Sequence, residues 1–442
     1  ARLAATSLFF SPYFFSPYFL ARIFNGSLVC QCLPQGVAMK IAEFETFVVG
    51  NPPPHFGGRY FIFVKLVTDN GIIGYGEIYT ATFSPEVVAH MAEDVIERWF
   101  VGSDPFHIER MWRNTYGSGY TLRPDVSLGS VLSGIEMACW DICGKAVGKP
   151  VYELIGGRVH EKLRSYTYLY PPAIEGEDVY STPFYEDPIA SAEVAAREAE
   201  RGFTAVKFDP AGAYTVYDGH MPPLEALRRS EEFCKHIREA VGDRADLLFG
   251  THGQFTAAGA IRLAKRLEAY DPLWFEEPTP PDNVDEMAKV ARGTSIPIAT
   301  GERLTTKYEF HRVLEAGAAA ILQPALGRSG GILETKKIAA IAEVYYAQIA
   351  PHLYCGPIEA LANIQLATCI PNFLILESIQ TFGGFYAELL TRPIEWHDGY
   401  VIPPTEPGLG SDLNEDVARA NPWTGSELHL TMKTTPNLPD GS

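Results

Sequence analysis

From about residue 160 to residue 380 the chain repeats one pattern of apolar and polar positions. A short apolar run ends abruptly in polar or charged residues, and a longer stretch with apolar residues at helical spacing follows. Leu247-Leu248-Phe249 gives way to Gly250-Thr251-His252, Trp274-Phe275-Glu276 to Glu277-Pro278, and Ile296-Pro297-Ile298-Ala299-Thr300 to Gly301-Glu302-Arg303. Such runs predict strands buried on both faces, and stretches such as 257–270 and 333–345 predict amphipathic helices between them. Strand and helix in alternation build parallel sheet. Strands are predicted at 165–170, 205–209, 246–249, 273–276, 296–300, 319–323, 346–350 and 373–376. Eight of them close a β/α barrel with its chemistry at the C-terminal strand ends.

Upstream the pattern is mixed. Ile41 to Val49, Tyr60 to Thr68 and Ile72 to Ile78 read as a strand meander, with Asp69-Asn70-Gly71 as a turn. Asn51 to Gly58 is a Pro/Gly-rich loop, helical periodicity runs from about Pro85 through Trp112 and from Ser127 to Gly148, and Tyr116 to Tyr120 reads as a loop. The insert 210–223 is longer than an ordinary strand-to-helix loop, which places it over the barrel mouth. Residues 1–38 differ from the rest: Phe-Ser-Pro-Tyr occurs at 10–13 and 15–18, there is no acidic residue, and Pro12 and Pro17 interrupt the apolar run. They are expected to be an extension outside the fold.

Composition narrows the partners. The 442 residues are 46% hydrophobic, enough for a large core, and the net charge of −18 excludes nucleic acid and anionic membrane as natural partners. An anionic substrate then needs a cation or local Arg and Lys to hold it. The seven cysteines form no paired CxxC motif, and Cys139 and Cys143 lie one turn apart on an apolar helix, which points to a reducing, cytoplasmic compartment. Gly327-Arg328-Ser329-Gly330-Gly331 does not have the order of a nucleotide loop.

The strand ends carry the candidate chemistry. Carboxylates closing apolar strands are costly unless paired or bound to a cation, and Glu276 and Glu302, on adjacent strand tips, form a hard-oxygen site for a divalent ion. In Lys207-Phe208-Asp209, alternation turns Lys207 and Asp209 to the same inner face. His160, His236 and His311 read as ordinary histidines.

Gly134 to Pro150, followed by Leu154-Ile155-Gly156-Gly157, makes the chain recognisable together with the Gly71 to Glu77 meander, the carboxylate ladder and Pro407-Gly408-Leu409-Gly410. From Met39 to Asp416 it resembles the enolase superfamily, within it the mandelate racemase/muconate lactonizing enzyme-like branch, and in its histidine placement the galactonate dehydratase-like sugar-acid dehydratases. The resemblance implies an α+β capping domain at 39–161, a modified β/α barrel at 162–380, and a segment at 381–442 that returns to complete the cap. Loops 51–59 and after Glu77 would close the site. It implies Mg²⁺ on Glu276 and Glu302, and proton abstraction beside a carboxylate with the enediolate stabilised by the cation. His352 would take the α-proton and His252 would help the β-hydroxyl leave as water. Lys207 would polarise the substrate carboxylate or else pair with Asp209. Glu377 would face the carboxylate or enediolate, Arg303 and Arg328 would anchor substrate, and Gln254, Tyr354, Tyr168, Tyr214 and Thr251 would line a polar mouth.

Three positions depart from the family pattern. Gly250 stands where the first metal ligand is normally acidic, leaving water or Asp209 as the expected replacement and His252 as a further alternative. Asp209 stands where racemases and cycloisomerases carry a lysine, and Ala325 stands where an aspartate normally orients the histidine. The expected function is a Mg²⁺-dependent dehydratase turning an aldonate or aldarate into a 2-keto-3-deoxy acid, in a homo-oligomer. The alternatives are a racemase, epimerase or lactone cycloisomerase, and a member without turnover that binds a sugar acid or a protein.

Overall fold

In the computed structural model, residues 21–24, 27–30, 39–80, 82–120, 122–173, 178–179 and 183–436 are described. Residues Ala1–Met39 and Lys40–Ser442 are separate units. In the first, strands β1 (Ala21–Phe24) and β2 (Ser27–Cys30) pair antiparallel. Most of the expected N-terminal extension lies outside the described residues.

The second unit begins with the expected meander: β3 (Ile41–Gly50), β4 (Tyr60–Thr68) and β5 (Ile73–Ile78), antiparallel throughout, with Val48 opposite Ile62 and Phe63 opposite Glu77. The helical stretch predicted from 85 to 112 is two helices, α1 (Pro85–Trp99) and α2 (Ile108–Ser118). Gly102, at φ 79°, and Pro105 break it, since neither continues a helix without loss. Tyr116, Gly117 and Ser118, expected in a loop, form the last turn of α2. Helix α3 (Val126–Val147) is long and apolar enough to cross a membrane, yet 78% of its apolar window is buried inside the molecule. Asp125 caps it by accepting from Leu128 N–H at 2.8 Å, and left-handed Gly148 ends it. α3 lies directly on β5 because glycines face each other there: a Cβ on Gly76 would come within 1.8 Å of the Gly134 carbonyl oxygen. Buried Asp141 on α3 accepts from Tyr75 N–H, from Leu409 N–H and from Lys145, tying the meander to the C-terminal segment.

After α4 (Val151–Leu154) the barrel runs β6 (Leu163–Tyr168), α5 (Pro188–Glu200), β7 (Ala205–Phe208), α6 (Leu224–Val241), β8 (Asp246–Phe249), α7 (Ala257–Leu267), β9 (Trp274–Glu276) and α8 (Val284–Gly293). It continues as β10 (Ile298–Thr300), α9 (Thr306–Glu315), β11 (Ile321–Leu322), α10 (Gly331–Val344), β12 (Gln348–Ile349), α11 (Pro357–Cys369) and β13 (Leu376–Ser378). Neighbouring strands from β6 to β12 are parallel. Ile349 bridges Phe373, and β13 pairs parallel with β6, so the strand order returns on itself. The last strand therefore sits later than the predicted 373–376. Its apolar lead-in serves β12, and the pairing with β6 begins only at Leu376. Inside the ring Tyr166, Leu248, Trp274, Ile321 and Ile375 pack into a core that closes the barrel below its mouth.

The C-terminal segment forms α12 (Phe385–Glu388), β14 (Trp396–His397), β15 (Tyr400–Val401) and α13 (Glu415–Ala420). It then returns to β3, where Pro422 bridges Val49 and Trp423 N–H donates to the Val48 carbonyl at 2.9 Å.

The α3–β5 contact sets a stability prediction. Gly76→Ala forces backbone apart and is expected to cost about 3 kcal/mol. Gly71→Ala, where nothing lies within 4 Å and only φ 84° is strained, costs about 1 kcal/mol. Denaturant unfolding of the two variants separates them.

Candidate active site

Register decides which side chains meet at the barrel mouth. Lys207 lies opposite Tyr168 and Leu248, and Glu276 lies opposite Ala299. Phe208, between Lys207 and Asp209, packs outward against Phe249, as strand alternation requires. Lys207 Nζ donates to Glu276 Oε1 at 2.7 Å and lies 3.5 Å from Glu377 Oε1. Gln323 Nε2 donates to Glu276 Oε2 at 2.8 Å, and Leu353 N–H donates to Glu377 Oε2 at 2.8 Å. The lysine thus pairs with two glutamates rather than with Asp209. Burial works against its charge, but Glu276 and Glu377 outweigh that and hold Lys207 well above the usual ammonium range. Burial pushes Glu377 up to about 7 despite Lys207.

Two imidazoles flank Glu302. His252 Nε2 lies 3.6 Å from its Oε1, and His352 Nε2 lies 3.3 Å from its Oε2. Burial alone would raise Glu302, but His252, His352, Lys207 and Arg303 hold it well below the carboxylate range. The two histidines are driven apart. Burial lowers His252, but Glu302 and the Asp209 hydrogen bond more than offset it and bring the imidazole to about 9. Burial dominates at His352 and brings it to about 3, with Lys207 and Arg328 adding to the effect and Glu302 opposing it. Asp209 Oδ2 and Tyr214 Oη approach His252 Nδ1 at 3.1 and 2.5 Å. Ala325 bridges His352, and the buried His352 Nδ1 has no hydrogen-bond partner. The orienting carboxylate missing from the sequence is not replaced.

A Cβ on Gly250 would lie 3.2 Å from the Phe208 carbonyl oxygen, a close approach, and 3.4 Å from Lys207 Cε, an ordinary contact, so the space beside the strand tip is snug and offers no ligand. Asp209, one expected substitute, turns to His252 Nδ1 instead. The donor atoms of His252, Glu276 and Glu302 lie within 4.8 Å of one another, and Glu302 Oε2 accepts no hydrogen bond. Two carboxylates and an imidazole nitrogen suit a divalent cation, and imidazole suits Mn²⁺ or Zn²⁺ better than Mg²⁺.

The remaining predicted residues divide. Arg303, expected to anchor substrate, instead donates to Glu277 Oε1 and to the His252 carbonyl, each at 2.7 Å, and so holds the loop carrying His252. Arg328 donates to the Glu302 carbonyl at 3.0 Å, lies over the Tyr79 ring at 4.0 Å, and keeps its buried Nε without a partner. Gln254 Nε2 donates to the Gly212 carbonyl, leaving its buried Oε1 without a partner, as are Tyr354 Oη and Asp209 Oδ1. Sequence reasoning missed Tyr79, whose ring stacks on His352 at 5.8 Å and 18°, and Gln323 as a holder of Glu276. It also missed His429, buried against Tyr60, Tyr79 and Tyr354. Position after Glu77 was the only signal for Tyr79, and His429 had none.

Two family models match the chain: the mandelate racemase/muconate lactonizing enzyme N-terminal domain over residues 56–156 and the enolase C-terminal domain-like family over residues 190–417. A D-galactonate dehydratase from Ralstonia pickettii is 36% identical, covering 85% of this chain and 93% of its own. A D-xylonate dehydratase from Haloferax volcanii is 34% identical, covering 88% and 90%. The solved structure of a mandelate racemase/muconate lactonizing enzyme from a Sulfitobacter species is 55% identical, with a TM-score of 0.86, covering 90% and 99%.

A charged His252 beside Glu302 repels a cation held there. Mn²⁺ affinity, read by electron paramagnetic resonance, is therefore expected to rise with pH up to about 9 and to become flatter in His252→Asn. Glu302→Gln should lower it by more than the roughly 10–100-fold that losing an outer-shell partner costs.

Proposed function

The chain belongs to the mandelate racemase/muconate lactonizing enzyme branch of the enolase superfamily, and from that premise we propose that it is a divalent-cation-dependent hydro-lyase acting on a sugar acid. Its product would be a 2-keto-3-deoxy acid. One observation carries the reading: two imidazoles sit on the two oxygens of one carboxylate, His252 Nε2 at 3.6 Å and His352 Nε2 at 3.3 Å from Glu302, with a carboxylate on the far nitrogen of His252 and none on that of His352. A pair split in this way divides into base and acid.

Neutral His352 takes the proton from C2 of the bound acid, and charged His252 gives a proton to the 3-hydroxyl, which leaves as water. The enol that remains takes a proton at C3 and loses the proton of its C2 hydroxyl, which gives the 2-keto-3-deoxy acid. Glu276 and Glu302 would hold Mg²⁺ or a similar ion, whose charge lowers the cost of the negative charge developing on the substrate carboxylate. Lys207, charged and buried between Glu276 and Glu377, adds fixed positive charge beside the same carboxylate. Asp209 and Tyr214 orient His252 through Nδ1. The buried, unpartnered atoms Asp209 Oδ1, Gln254 Oε1, Arg328 Nε and Tyr354 Oη suit a ligand with many hydroxyls, because such groups are costly unless a ligand or water satisfies them. The sugar-acid dehydratases among the relatives support the same class. A lysine at position 209 would favour a racemase or cycloisomerase, and aspartate stands there. The unpartnered Nδ1 of His352, opposite Ala325, favours a slow base, and with the missing ligand at Gly250 it stands on the side of a member that binds without turnover.

Incubation with Mg²⁺ or Mn²⁺ and a panel of aldonates and aldarates, with 2-keto acid formation as the readout, tests the reading. His352→Asn should cut kcat by roughly 10²–10⁴-fold while sugar-acid binding by calorimetry persists. If no acid in the panel is consumed, the reading fails.

The pH–rate profile should fall on its alkaline side as His252 loses its proton, below the value of about 9 that it reaches with Glu302 free of a cation. Asp209→Asn removes a carboxylate that raises His252, so the alkaline limb should move down by about one unit.

A further inference from the structure

Beyond α13 the chain does not simply trail away. Asn421 and Trp423 bond to β3, with Gly50 N–H donating to the Asn421 carbonyl at 2.8 Å. Arg59, at the end of the Pro/Gly-rich loop, donates to the Leu428 carbonyl at 3.2 Å. His429 follows, 2% exposed, with its ring 5.2, 5.4 and 5.6 Å from those of Tyr60, Tyr79 and Tyr354. Its main-chain N–H donates to Tyr60 Oη, and its Nε2 lies 3.0 Å from the Tyr354 carbonyl oxygen. The loop is shaped around it: Gly58 has φ 115°, and a Cβ there would fall 1.9 Å from His429 Cε1. A few residues on, Lys433 N–H donates to the Tyr214 carbonyl, and Val216 N–H donates to the Lys433 carbonyl, both at 3.0 Å. Thr215 Oγ1 donates to the Thr435 carbonyl at 2.7 Å.

This segment therefore joins the cap sheet, the loop beside it and the insert over the barrel mouth. Its two anchors each end one residue from the chemistry. Tyr79, against His429, stacks on His352, and Tyr214, pinned by Lys433, contacts His252 Nδ1. The family model for the barrel ends at residue 417, before any of it.

We propose that residues 421–436 form a strap that completes the substrate site, with His429 as the residue that fixes the Tyr79–Tyr354 wall and so sets which sugar acids fit. The substrate part of this rests on the dehydratase reading. His429 is a positioning residue: it acts through the two tyrosines. A neutral ring donating from Nε2 to a carbonyl can be mimicked by glutamine but not by alanine, which leaves a gap in the wall and the carbonyl without its donor.

The test compares the full chain with His429→Ala, His429→Gln and Lys433→Pro, using D-galactonate and D-xylonate as probes. His429→Ala is expected to change the ratio of kcat/KM for the two acids by about tenfold, a scale typical of one altered pocket contact, and His429→Gln to restore most of it. If both acids lose the same factor in both variants, His429 is only structural and the specificity claim is overturned. If the parent consumes neither acid, two acids that it does consume replace them, and if it consumes none of the panel the dehydratase reading falls and the strap is judged by hydrogen exchange alone. In His429→Ala the Gly58 amide, and in Lys433→Pro the Val216 amide, should then exchange at least about tenfold faster than in the parent. Unchanged exchange at both overturns the strap.

Discussion

Everything at the barrel mouth depends on charge balance among buried side chains. Glu276, Glu302 and Glu377 are buried together, and the fold tolerates them because Lys207 is buried with them. An unpaired buried charge costs several kcal/mol, so neither the lysine nor the glutamates could be there alone. Gly250 offers no carboxylate at the third strand tip, and Lys207, from the second strand, holds Glu276 Oε1 at 2.7 Å.

A second constraint works at a distance. The backbone of α3 can approach β5 only through glycine, and that approach sets where Glu77 and Tyr79 emerge from the end of the meander. Tyr79 N–H donates to the Gly327 carbonyl at 3.0 Å, so the cap sheet is fastened to the barrel one residue before Arg328. The stacking of Tyr79 on His352 is in this sense an outcome of helix packing. Glu77 is buried there, with Gly356 and Glu359 N–H donating to its carboxylate, and burial raises it to about 7.

The barrel and its inner residues were legible because burial on both faces leaves a plain signature: an apolar run, then a charge that has no reason to be there. Lys207, Glu276, Glu302 and His252 all carry it. The structural partner of Arg303 was hidden in the sequence. Glu277 follows Glu276 and ought to face the opposite way, but its backbone turns to φ 36° and brings the carboxylate to the arginine. The break between α1 and α2 was lost because apolar spacing continues across it while Gly102 and Pro105 end the helix. His429 was beyond reach for a different reason. Its meaning lies wholly in contacts to Tyr60, Tyr79 and Tyr354, which are far from it in the chain and follow no period.

The buried Asp141 has a consequence for how the molecule is made. It accepts from Tyr75, near the start of the chain, and from Leu409, near its end, while Val49 meets Pro422. The Asp141 carboxylate therefore keeps an unfilled bonding position until Leu409, 268 residues further on, is in place. Contacts of such long sequence separation form slowly, and apolar surface waits uncovered in the meantime. The cap is thus completed only when segments far apart in the sequence have come together.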